Sequence, residues 1–136
     1  MILIDTNVIL DLLLDRPEHI AAARQLSERV ESGALRAMLC ATTVTTIDYL
    51  ARKQLGRDGA KRAMLALLSL YDIAAVTRTT LQMALAADMP DFEDAVLAHA
   101  AHQAGAQAIV TRNLRDFAGS PVRAYTPLEY LSLPTD

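Results

Sequence analysis

Met1-Ile2-Leu3-Ile4-Asp5-Thr6-Asn7 decides the architecture of this chain. Ile2, Leu3 and Ile4 run straight into a carboxylate, and Asn7 to Leu14 then carries Val8, Ile9, Leu12 and Leu13 at helical spacing. A short buried strand followed at once by a helix points to an α/β layout, and a strand that ends in Asp delivers its carboxylate to the rim of a sheet. The pattern returns downstream. Ala108-Ile109-Val110-Thr111 runs into Arg112-Asn113-Leu114-Arg115-Asp116-Phe117, and Asp91-Phe92-Glu93-Asp94 opens an Ala-rich helical stretch. In a parallel sheet several such rims meet in one crevice. Carboxylates gathered there repel one another, and a hard cation such as Mg²⁺ or Mn²⁺ relieves the repulsion. The pattern points to metal-dependent chemistry on a phosphate substrate.

Working outward, strands and helices alternate. Arg16-Pro17 breaks the first helix, and Glu18 to Ser32 forms a second that stops at Gly33. Leu35 to Ala41 reads as a strand and Thr42 to Leu55 as a helix ended by Gly56. Asp58 is a good N-cap for a helix over Ala60 to Leu70. Ile73 to Val76 reads as a strand, Thr79 to Ala87 and Phe92 to Ala104 as helices, and Gln107 to Thr111 as the fourth strand. Val122 to Tyr125 adds a short fifth, and Pro127 at a first helical position starts a last helix through Leu131. This order predicts a three-layer α/β/α sandwich with a short, mainly parallel sheet and right-handed crossovers.

The bulk numbers narrow the function. At 136 residues the chain fits one domain, 1–136, and its 52% hydrophobic content excludes disorder. Aromatics are 4% and Trp is absent, which argues against an aromatic base-stacking platform. The net charge of -3 excludes a generally basic nucleic-acid binder while leaving room for a local basic patch. Cys40 is the only cysteine, so no internal disulfide forms and cysteine-based zinc sites are excluded, which suits a reducing cytoplasm. Neither a signal peptide nor a membrane-spanning run is expected.

Each acid also has an ordinary reading. Asp5 is a good N-cap for the helix at Asn7. Asp91 and Glu93 suit the positive end of a helix. Asp94 is harder to dismiss, because it shares a face with Leu97 and Ala98, and a carboxylate on a buried face costs free energy unless paired or metal-bound. Asn113 and Asp116 could be turn residues. His99 and His102 have no recognisable ligand spacing, and Cys40 reads as a small core residue. No Ser-His-Asp set or phosphate-cradling glycine loop is present.

These motifs resemble those of the PIN-domain ribonucleases found as toxins of bacterial VapBC toxin–antitoxin pairs. The resemblance runs nearly end to end, through Ile4-Asp5-Thr6-Asn7, Asp91-Phe92-Glu93-Asp94-Ala95 and Val110-Thr111-Arg112-Asn113-Leu114-Arg115-Asp116-Phe117. It implies a PIN-like sandwich in which Asp5, Asp94 and Asp116, with Asp91 as an alternative, hold Mg²⁺ or Mn²⁺ and catalyse hydrolysis of an RNA phosphodiester to 5′-phosphate and 3′-hydroxyl ends. Thr6, Asn7, Thr111 and Asn113 are expected to orient those carboxylates. Arg112, Arg115 and Arg16 are expected to meet RNA, such as a tRNA or another structured RNA. The resemblance further implies an antitoxin partner and a homodimer, with Met64 to Leu70 and Leu81 to Ala87 as candidate dimer surfaces.

One departure stands out. The family usually carries a Glu early in the helix after the second strand, and aligning Tyr49 and Arg52-Lys53 puts Thr46 there. Asp48, Asp91 or Glu93 are the acids available to compensate. The rival reading is a catalytically weak or inactive PIN protein that binds RNA or a protein partner. A metal-dependent phosphatase or DNA nuclease usually carries more acids and extra helices than 136 residues accommodate. A plain interaction domain would leave three aligned acidic clusters to chance.

Overall fold

The computed structural model describes residues 1–134. The last two residues of the expected 1–136 domain lie outside the described residues. The elements are β1 (Ile2–Ile4), α1 (Thr6–Leu13), α2 (Ile20–Glu31), β2 (Ala37–Cys40), α3 (Ala41–Leu70), β3 (Asp72–Ala74), α4 (Arg78–Ala86), α5 (Phe92–Gln103), β4 (Ala108–Val110), β5 (Ala124–Tyr125) and α6 (Pro127–Leu131). A 3-10 turn at Leu114–Phe117 follows β4.

Period-2 alternation builds the layers. Ile2, Ile4, Ala37, Leu39, Ala108 and Val110 point to one face of the sheet, where α1, α2 and α3 contribute Ile9, Leu26 and Ile47. Leu3, Met38, Cys40, Ala74 and Ile109 point to the other, against Leu97, Ala98 and Ala101 of α5 and Phe117 beyond β4. Full burial of each of the larger side chains, Ile, Leu, Val, Met or Phe, contributes about 1.5–3 kcal/mol. The helix α4 packs on α5 through Ala84, Ala95 and Val96.

The strand order is β3-β2-β1-β4-β5, and every pairing is parallel. The chain steps outward from β1 to β2 to β3, then returns to β4 on the other side of β1. Right-handed crossovers then require the helices before β3 and those after it to cover opposite faces, as the two core clusters do. The reversal between β1 and β4 is the topological switch point, where crevices open at the carboxyl ends of strands.

Several boundaries differ from expectation. The second strand is shorter than Leu35 to Ala41, because Ala41 already starts α3. The third lies at Asp72–Ala74 rather than Ile73 to Val76. Asp58 is not an N-cap: Gly56, at φ 74 and ψ 175, is the one non-helical residue inside α3, so the second half of the helix starts before Asp58. That backbone conformation is open essentially to glycine alone. The α4 and α6 starts are set by capping boxes at Thr77–Thr80 and Thr126–Glu129, with Pro127 in the first turn of α6. No helix among the described residues is long and apolar enough to cross a membrane.

Candidate active site

Asp5 and Thr111 are the first residues past β1 and β4, on adjacent strands in which Ile4 pairs with Val110. Backbone pairing continues one step further, with Asp5 N–H donating to the Val110 carbonyl at 2.9 Å. The register therefore sets the two side chains beside each other. The Thr111 hydroxyl donates to Asp5 Oδ2 at 2.8 Å, and the Thr6 N–H donates to Oδ1 at 2.7 Å, so Asp5 is also the N-cap of α1. Asn7 Nδ2 bridges Asp5 Oδ2 at 3.3 Å and Thr111 Oγ1 at 3.4 Å, while its Oδ1 accepts from the Arg112 N–H at 3.2 Å. The Asn113 N–H donates to Thr111 Oγ1 at 3.1 Å. Asn113 is exposed and reaches the network through its backbone.

The other acids approach from α5 and from the 3-10 turn. Asp91 caps α5, its Oδ1 accepting the Asp94 N–H at 3.1 Å. Asp94 lies half-buried one turn on, next to the buried Ala95 and Val96. Its carboxyl is pushed up to about 7, first by burial and then by the charges of Asp5, Asp91, Asp116 and Glu93. The Asp5 carboxyl is also raised: burial outweighs the stabilising hydrogen bonds from Thr111 and Thr6, and Glu93 and Asp116 add to the repulsion. Residues from β1, α5 and the turn after β4 thus share one electrostatic field. Among the described residues no three His, Cys, Asp or Glu side chains already stand close enough to hold a single ion. The Thr6 hydroxyl is buried and has no hydrogen-bond partner.

Asp48 is paired along its own helix. Its Oδ2 is 3.0 Å from Arg52 Nε, in an i,i+4 ion pair along α3, and it is absent from the charges that raise Asp5 and Asp94. Asp91 and Glu93 are among the charges that raise Asp94.

Sequence reading missed Asp11. Its carboxylate is 1% exposed and is clasped by Arg112, whose Nε lies 2.7 Å from Oδ2 and Nη2 3.2 Å from Oδ1. Arg16 Nη1 adds a contact at 3.4 Å. Two of the three arginines expected to meet RNA are thus engaged by a buried acid; Arg115 is exposed and forms no ion pair among the described residues. A signal was available: Asp11 interrupts the apolar run Val8-Ile9-Leu10-Asp11-Leu12-Leu13, and a lone acid on an apolar helix implies a partner. His99 is buried with both ring nitrogens unpartnered, and burial, then His102, lowers its pKa and keeps it neutral.

The parallel sheet and acid-rimmed switch point define a PIN-like α/β domain. The PIN domain family model matches residues 1–115, and the chain belongs to that family. Solved structures share the fold. FitAB bound to a DNA fragment matches at TM-score 0.72 and 22% identity over 93% of this chain and 95% of that one. A toxin–antitoxin complex from Klebsiella pneumoniae matches at TM-score 0.71 and 24% identity, covering 93% and 98%. The sarcin–ricin-loop-cleaving toxin VapC20 of Mycobacterium tuberculosis matches at TM-score 0.69 and 17% identity, covering 88% and 96%. No curated protein matches by sequence.

Proposed function

We propose that this PIN-domain protein is a metal-dependent endoribonuclease and the toxin of a toxin–antitoxin pair, built as one domain over 1–136. The observation that carries the reading is the convergence of acids from three separate segments around the β1–β4 switch point, where Asp5 and Asp94 are both raised, first by burial and then by neighbouring charges that include Asp116. A divalent cation fits this set. The donors are hard oxygens, their repulsion is relieved by positive charge, and the orphan Thr6 hydroxyl can bond a water in the site. Asp5, Asp94 and Asp116 would hold Mg²⁺ or Mn²⁺, with Asp91 as an alternative. Bound there, the cation supplies a more acidic water and stabilises charge developing on the phosphate.

The protein's own residues position and select. Thr111 and Thr6 fix both oxygens of Asp5, and Asn7 ties Asp5 to the loop after β4. Arg112, held by Asp11, anchors that loop to α1 rather than gripping RNA first, and Arg16 shares the same carboxylate. Arg115 remains an exposed cation beside the acids for a phosphate. No side-chain nucleophile is needed, because water attacks.

The neighbours support the partners. The FitAB and Klebsiella pneumoniae structures are complexes, the latter of toxin with antitoxin, and VapC20 cleaves the sarcin–ricin loop, a structured RNA. For an antitoxin, an open cleft of about 420 Å³ lies beside Arg112, with Ala21, Ala22, Pro127 and Leu128 in its wall. For a homodimer, Leu65, Leu68, Leu81 and Leu85 remain exposed on α3 and α4, while Leu67 and Ala84 are core. An RNA substrate places the protein's work in the cytoplasm.

Titrating Mn²⁺ by calorimetry into wild type and Asp94→Asn, with cleavage of a mixed tRNA pool in parallel, tests the reading. It expects binding and cutting in wild type and loss of both in the variant. Wild type that binds no Mn²⁺ overturns it in favour of the second reading, a catalytically weak PIN protein that binds RNA or a partner. That reading draws on Thr46 and on the lack of three acids within reach of one ion among the described residues.

A further inference from the structure

If Asp11 holds Arg112 and Arg16, the charge that grips an RNA backbone has to come from elsewhere on a chain of net charge -3. Five of its 13 Lys and Arg residues (Arg52, Lys53, Arg57, Lys61 and Arg62) fall between positions 52 and 62, with Asp58 the only acid among them. All six are exposed. Sequence alone leaves these cations as an ordinary solvated helix. On a straight helix Arg57, Lys61 and Arg62 would stand about 140°, 180° and 280° round from Arg52, at roughly 100° per residue. They would share no face.

The break at Gly56 changes that. With φ 74 and ψ 175 at this one residue, α3 bends, and Arg52, Arg57, Lys61 and Arg62 line a single open groove of about 990 Å³. Two acids, Asp48 and Asp58, share the lining; Asp48 pairs with Arg52, which leaves Arg57, Lys61 and Arg62 against Asp58. Outside that lining, but next to Asp48 in sequence, Tyr49 is 61% exposed, with Lys53 Nζ 4.5 Å from its ring centroid. Clustered cations next to an exposed aromatic ring suit a single-stranded sugar–phosphate backbone, with a base able to stack.

The groove lies on the helix that leaves the acid-bearing rim. The helix α3 starts directly after Cys40, at the carboxyl rim of the sheet that carries Asp5 and Thr111. Asp48 follows eight residues later, about 12 Å of helical rise from that rim.

We propose that this kinked-helix groove docks the RNA backbone. The inference rests on the ribonuclease reading and names where the substrate is held. It is tested with a labelled, mixed-sequence 20-nucleotide single-stranded RNA in EDTA, where no cleavage occurs, by measuring affinity from 20 to 200 mM salt. Arg57→Gln/Arg62→Gln is expected to weaken binding about tenfold or more at 50 mM salt and to reduce the salt slope by about 1.4, near 0.7 per lost phosphate contact on a single strand. Its Mn²⁺ affinity and melting temperature should match wild type, since both side chains are exposed.

Unchanged RNA affinity and slope in the double variant overturn the inference, and so does wild type that binds no RNA at 20 mM salt. Asp94→Asn separates the two levels, because it is expected to lose Mn²⁺ and cleavage while keeping wild-type RNA affinity in EDTA. Mn²⁺ binding that depends on Asp94, together with a groove variant that binds RNA normally, sinks the groove and spares the ribonuclease reading.

Discussion

Arg112 holds Asp11 in a two-pronged ion pair, Nε to Oδ2 at 2.7 Å and Nη2 to Oδ1 at 3.2 Å, on a carboxylate only 1% exposed. The same arginine's N–H donates to Asn7 Oδ1. Side chain and backbone of one residue therefore fasten the loop after β4 to two points on α1. Removing the guanidinium leaves a buried charge short of its main partner, and Arg16, at 3.4 Å and partly exposed, compensates little. Arg112→Ala is expected to lose about 3–5 kcal/mol in urea unfolding. Arg112→Lys, which keeps the charge and loses the fork, should fall between it and wild type. A loss below about 1 kcal/mol for the alanine variant would mean that Asp11 finds another partner.

Asp94 is expected to exchange stability for metal binding. A carboxyl raised to about 7 means that the folded protein keeps a proton the unfolded chain releases. Metal-free stability should therefore fall as pH rises from near 4 to near 7 and level off above. Asp94→Asn carries no such penalty, so its melting temperature should pull ahead of wild type across that window. Added Mn²⁺ should reverse the order at pH 8, by stabilising wild type alone. Metal competes with the proton, so Mn²⁺ affinity in wild type should climb by up to about tenfold per pH unit below 7. Melting curves at several pH values, with and without Mn²⁺, check both parts; a constant offset between the two proteins refutes the linkage.

Gly119 joins the two acid-bearing loops. Its φ is +85, and a Cβ built there would stand 2.5 Å from the Asp88 carbonyl oxygen, in the segment that leads into Asp91 and Asp94. Asp116 precedes it by three residues. Met89, next to Asp88, packs against the clusters containing Phe117 and Ala95. Gly119→Ala is expected to cost about 2 kcal/mol or more, combining backbone strain with a forced backbone separation. Because the separation parts Asp116 from Asp94, Mn²⁺ affinity should fall with it. Gly105→Ala shares the positive φ but meets nothing within 4 Å, so it should lose less stability and no affinity. Equal behaviour of the two variants would assign the whole effect to strain.

The fold was legible wherever one segment carried its own instruction. Ile2 to Ile4, Ala108 to Val110 and Pro127 at the start of α6 announce their elements locally, and strands alternating with helices leave few topologies. The switch point follows from that order, and the resemblance to the PIN family is what singled out Asp5, Asp94 and Asp116 among the acids. What escaped depends on distant pairing. Asp11 and Arg112 lie 101 residues apart, and nothing in either neighbourhood names the other. The groove in α3 escaped because the break at Gly56 is legible in sequence but the angle it sets between the two helical halves, which groups the cations, is not. The edge strand β3 slipped by a residue because Asp72 pairs with Met38 through its backbone while its exposed side chain pairs with Arg36.

Position 46 offers the sharpest test of the departure from the family pattern. Thr46 is half-buried in the first turns of α3, just past the carboxyl end of β2, and the resemblance places a Glu there. Asp48 is no substitute while Arg52 holds it at 3.0 Å. Asp48→Asn should therefore change Mn²⁺ affinity by less than about twofold, under 0.5 kcal/mol. Thr46→Glu should raise it by about tenfold, near 1.4 kcal/mol, by adding a carboxylate to a site whose acids approach from β1, α5 and the turn after β4. The added charge should also lower metal-free stability at pH 8, because the new group meets the field that already lifts Asp94. Calorimetric titration and metal-free melting decide the matter together. A variant unchanged in both would show that position 46 does not face the acids, whereas one destabilised without gaining affinity would show a carboxylate that reaches the field but not the ion.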